Sequence, residues 1–101
     1  MIRHIVMWKL DDSYTPEEKQ VLTEEMEKQL RSLKGKIGQL KSLEVHRNIE
    51  QTPVTNFDIV LDTAFENIAA LDEYQEHPEH KVVVTRLSKI KKHRVAIDYE
   101  V

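Results

Sequence analysis

The chain has 101 residues, 40% of them hydrophobic, which suits one domain with a modest core. A formal charge of −3 argues against a nucleic-acid binder, which would present a basic face, and the absence of cysteine excludes a disulfide framework, a thiolate nucleophile and a cysteine-ligated zinc. There is no apolar run of bilayer length, and Met1 leads into an alternating pattern rather than a signal peptide, so the expectation is a cytoplasmic protein without a membrane partner.

Ile2 to Leu10 reads as a strand, with Ile2, His4, Val6, Trp8 and Leu10 on one face and Arg3, Ile5, Met7 and Lys9 on the other. Both faces hold apolar residues, which predicts cover on both sides. After a loop from Asp11 to Tyr14, Thr15-Pro16-Glu17-Glu18 is a helix start: N-cap, proline at the first helical position, and a glutamate closing a capping box. The predicted buried stripe of this helix is Leu22, Met26, Leu30 and Leu33, and Gly35 is its expected C-terminal stop. Leu40 to Asn48 alternates again, with Leu43, Val45 and Arg47 on one face. A polar loop with Pro53 follows. Phe57, Ile59, Leu61 and Thr63 then alternate with Asp58, Val60, Asp62 and Ala64, giving a third strand.

Asn67 to Glu76 predicts a short helix in which Ile68, Leu71 and Tyr74 share a face. Pro78 cannot continue it but suits the first turn of a second helix, reaching to about Ile90. There His80, Val83, Leu87 and Ile90 form a stripe, which aims the His80 ring at the core, while His77 at the break is expected to see more solvent. The basic run Lys89 to Arg94 could bind phosphate or an anionic surface, but reads first as a solvated helix terminus. Val95, Ile97, Tyr99 and Val101 alternate with Ala96, Asp98 and Glu100 in a fourth strand. The order β-α-β-β-α-β over residues 1–101 predicts an α+β, ferredoxin-like domain with helices on one face of an antiparallel sheet. On the other face Ile5, Met7, Val60 and Ala96, mixed with charges, predict a second sheet packed there, hence a homodimer.

The opening Ile2-Arg3-His4-Ile5-Val6-Met7-Trp8-Lys9-Leu10, the segment Lys41-Ser42-Leu43-Glu44-Val45, and above all Tyr74-x-x-His77-Pro78-x-His80 resemble the stress-responsive dimeric α/β-barrel (Dabb) domain over essentially the whole chain. The resemblance implies a homodimer whose two four-stranded sheets pack into a barrel. It implies no single activity. Some plant members are stress-stable or antifungal proteins, and one, olivetolic acid cyclase, closes a linear polyketide by aldol condensation without a cofactor. The essential histidine of that enzyme falls on His80, its tyrosine partner on Tyr74 and its strand-one histidine on His4. Two further polar pocket positions of the enzyme are replaced here by Met26 and Ile59.

His80 as base, Tyr74 as hydrogen-bond donor and His4 assisting would together form a catalytic or binding cluster, since a neutral imidazole can take a proton near neutral pH. The candidate lining of its pocket is Val6, Trp8, Met26, Ile59, Leu61, His77 and Val83. The alternative is a buried polar network that only fixes core packing. His77 and His80 lack the spacing of a helical metal pair, and no third ligand is apparent, so no metal and no cofactor are expected. Three functions stay open: binding of a small apolar or aromatic molecule, cofactor-independent cyclase, lyase or monooxygenase-like catalysis, and a structural stress protein with no ligand.

Overall fold

Alternation and capping resolve the chain into seven elements in the computed structural model, which describes residues 1–101: β1 (Ile2–Leu10), α1 (Pro16–Arg31), β2 (Ser42–Arg47), β3 (Ile59–Phe65), α2 (Ile68–Glu76), α3 (Pro78–Ile90) and β4 (Lys91–Glu100). The strands form one antiparallel sheet in the order β2-β3-β1-β4. This is the ferredoxin-like arrangement, with the second helical stretch divided in two at Pro78. The helices cover one face, α1 mainly over β2, and α2 over β1 and β3. Beneath them lies a cluster of 16 buried apolar residues. No helix is long and apolar enough to cross a membrane.

The helix starts follow their local chemistry. The Thr15 hydroxyl accepts from the Glu18 N–H while the Glu18 carboxylate accepts from the Thr15 N–H. Asn67 caps α2 through the Ala70 N–H. His77, held extended by the following proline, closes α2 and caps α3, its Nδ1 accepting from the Glu79 N–H at 3.1 Å.

Several expectations are corrected. The buried residues of α1 are Thr23, Met26 and Leu30, with Leu33 buried just beyond its end and Leu22 only half-buried. Hydropathy favours Leu22, but the 3-4-3 phase selects Thr23, whose hydroxyl is satisfied by the Lys19 carbonyl at 2.8 Å. The helix ends at Arg31 and the chain leaves it through further tight turns. Gly35 adopts no left-handed conformation and does not stop it. Ile68, in the first turn of α2, is exposed, and Leu71 and Tyr74 alone carry that stripe. The run from Lys91 to Arg94 belongs to β4, paired with the end of β1 across an irregularity at Lys9/Leu10, rather than to a helix terminus. That pairing sets Ala96 opposite Val6, on the helix side. The far face of β4 carries Val95, Ile97 and Tyr99, opposite Met7, Ile5 and Arg3.

Candidate functional site

The pairing of β1 fixes the first side chain of the site. His4 lies opposite Thr63 on β3 and Asp98 on β4, under the helices. It is 3% exposed, and its Nδ1 is hydrogen-bonded to the half-exposed Asp98 carboxylate. A carboxylate only accepts, so Nδ1 carries a proton. The Thr63 hydroxyl donates to the His4 carbonyl at 2.8 Å and holds the strand backbone in place.

Tyr74 comes from the buried face of α2 and is fully enclosed. Its ring lies 4.9 Å from that of Phe65, 6.5 Å from the His4 ring in an edge-on arrangement and 4.3 Å from the His80 ring. The phenol oxygen is buried and has no hydrogen-bond partner. Burial also pushes its pKa well above the usual tyrosine value, so the group stays a neutral donor. An unmet buried hydroxyl costs about 1–3 kcal/mol.

His80 enters from the first turn of α3. The break at Pro78 turns this helix back so that the ring stacks obliquely on Tyr74. The residue is half-buried, less enclosed than its place on the apolar stripe predicts, and His77 is half-buried as well. His80 Nδ1 lies 3.2 Å from the Gln75 carbonyl, so it carries the proton and Nε2 is the free base. Burial lowers the pKa of His80, the Gln75 bond opposes this, and the nearby His4, Arg94 and His77 lower it further. The imidazole is therefore neutral near pH 7. What the elements bring together is a neutral acceptor, a neutral donor without a partner, and a second histidine oriented by a carboxylate.

Val6, Trp8, Met26, Ile59, Leu61 and Val83 are each at most 5% exposed and pack together in the core cluster below these rings. His77 serves as the helix cap. A polar surface cleft of about 930 Å³ lies elsewhere, between the start of α1 and the loop joining β2 to β3, and contains none of His4, Tyr74 and His80. The partnership of Asp98 with His4 was not read from the sequence, and Arg94 was read only as part of a basic run at a helix terminus. Their face depends on the register between β1 and β4, and only the polar-apolar parity of β4 hinted at it. No group of three histidine or carboxylate side chains assembles as a metal site.

The model of the stress responsive A/B barrel domain matches residues 2–101. An uncharacterized protein of Streptomyces coelicolor is 36% identical over 84 residues, which cover 83% of this chain and 84% of that protein. A dimeric protein of unknown function with a ferredoxin-like fold from Bacteroides fragilis superposes with a TM-score of 0.90 at 31% identity, covering 99% of this chain and 95% of its own. Hydroxynitrile lyase from Passiflora edulis superposes with a TM-score of 0.78 over 99% of this chain and 92% of its own, and at 14% identity this likeness is one of fold alone. On the match along its length and the Streptomyces relative, the chain belongs to the stress-responsive A/B barrel (Dabb) domain family.

Proposed function

We propose that this protein is a homodimer that binds a small apolar or aromatic molecule beside His4, Tyr74 and His80, reached over β4. The observation that carries the reading is the Tyr74 hydroxyl, buried without a partner against an imidazole whose Nε2 is free. A ligand with one acceptor and one donor would satisfy both groups. The exposed apolar side chains Met7, Val95, Ile97 and Tyr99 on the far face support the dimer, as does the dimeric Bacteroides fragilis relative. A cytoplasmic location and a stress-associated role belong to the same proposal. Thermal-shift screening with aromatic and short polyketide-like compounds tests it on wild type, His80→Ala and Tyr74→Phe. A ligand present at 100 times its Kd stabilises the wild type by about 2.7 kcal/mol through mass action, and the variants should lose most of that gain. Equal shifts in all three proteins, or none in any, would leave the structural stress protein as the better reading.

A second reading has its own support. The Gln75 carbonyl fixes the tautomer that leaves His80 Nε2 as a base. With Tyr74 as donor, this is the arrangement a cofactor-independent proton transfer requires, as in a cyclase, lyase or monooxygenase-like reaction. A positioned base contributes about 10²–10⁴-fold in rate, and His80→Ala should lower any turnover by that order with the fold intact.

A further inference from the structure

Four of the five arginines are engaged. Arg3 pairs with Asp62, Arg31 with Glu27 and the Val45 carbonyl, Arg47 with Glu24 and Glu27, and Arg86 with Gln29. Arg94 makes no ion pair and no hydrogen bond. It stands opposite Trp8, so it projects on the helix side of the sheet, two positions from Ala96 and four from Asp98 on the same face. That side of β4 is uncovered. Trp8, Val6 and His4 on β1 are buried, whereas their partners Arg94 and Ala96 are exposed. His80 is tied to this strip through Tyr74, whose ring lies 4.3 Å from that of His80 and 6.5 Å from that of His4, the partner of Asp98. Arg94 is close enough for its charge to be felt at His80.

The strip thus has an apolar middle and two unlike ends. Ala96, the smallest side chain, lies between Arg94 and Asp98. The Asp98 carboxylate is already engaged by His4, whereas the Arg94 guanidinium is free. A guanidinium fork matches a carboxylate with two parallel hydrogen bonds. Asp98 would repel the same group, and so fixes which way round an acid lies.

Resting on the binding reading above, we propose that the ligand of this site is a small apolar or aromatic carboxylic acid. Arg94 holds its carboxylate, and its body lies over Ala96, towards His80. Arg94 is in this account the residue that selects acids over neutral analogues.

The experiment is calorimetric titration with benzoate, phenylacetate and 1-naphthoate, each against its own primary amide, on the wild type, Arg94→Gln and Arg94→Lys. Hydrogen bonds to charged groups support an expected preference of about tenfold or more for acid over amide in the wild type. Arg94→Gln should abolish that preference, lowering acid affinity more than amide affinity, while Arg94→Lys, which keeps the charge but not the fork, should retain part of it. Acid and amide binding equally well to the wild type would overturn the acid inference and leave the binding reading standing. If neither acids nor amides bind, both fall, and a changed dimer dissociation in Arg94→Gln would then identify a second copy of the chain as what covers the strip.

Discussion

Removing the Tyr74 hydroxyl takes away a buried donor that has no acceptor. Tyr74→Phe should therefore leave the thermal midpoint unchanged or raise it, by up to about 1–3 kcal/mol, because an unmet polar group is replaced by nothing. A loss of stability by a comparable amount would show that the hydroxyl is bonded inside the fold. His80 gives a pH dependence of definite sign. Its pKa in the folded protein lies below the ordinary 6.5 because burial disfavours the charged ring. As pH falls below about 6.5 the unfolded chain takes up this proton first, so stability drops until the folded pKa is passed. Melting followed between pH 8 and 5 should show that drop in the wild type and a shallower one in His80→Gln; parallel curves would contradict it. His4, Tyr74 and His80 were legible in the sequence because alternation and helical spacing aim them at the covered side. The placing of Asp98 beside His4 and of Arg94 beside Trp8 was not, since neighbours across strands follow from pairing, which composition does not encode.

Most element boundaries came out of local chemistry. Thr15 with Glu18, Asn67 and Pro78 each mark a start that needs no tertiary context. The break between α2 and α3 matters most for the proposed site, because it stacks His80 on Tyr74. Its hinge is His77, which closes one helix and caps the next. His77→Ala should cost about 1 kcal/mol, as lost caps do, and weaken ligand binding indirectly by loosening the first turn of α3. Denaturant unfolding with an unchanged slope would measure the first effect, and no loss would mean that Pro78 alone sets the turn. The elements least legible were those decided by packing. Thr23 displaced Leu22 because phase outranks hydropathy on a covered helix. The start of β4 at Lys91 was hidden because lysines and an arginine mark a strand poorly.

At the scale of the whole molecule the sheet has one finished face and one unfinished face. Met7, Val95, Ile97 and Tyr99 are each between 38% and 61% exposed, around the Arg3–Asp62 ion pair. A homodimer through this face should show in light scattering at micromolar concentration, and Met7→Asp should shift it towards monomer by burying an unpaired charge. A wild type that is monomeric there would contradict the dimer and leave the apolar strip without an account. The far face was anticipated from Ile5, Met7 and Val60, and the structure moves Ala96 off it and puts Ile97 and Tyr99 on it. The central claim is that His80 and Tyr74 await a ligand, and nitrogen NMR of the histidine rings tests it most directly. At pH 7 His80 should be the neutral Nδ1–H form. On adding a compound that raises the thermal midpoint, its Nε2 resonance should move while those of exposed His46 and His93 stay in place. A protonated His80 at pH 7, or an Nε2 signal indifferent to every compound that stabilises the protein, would contradict the account.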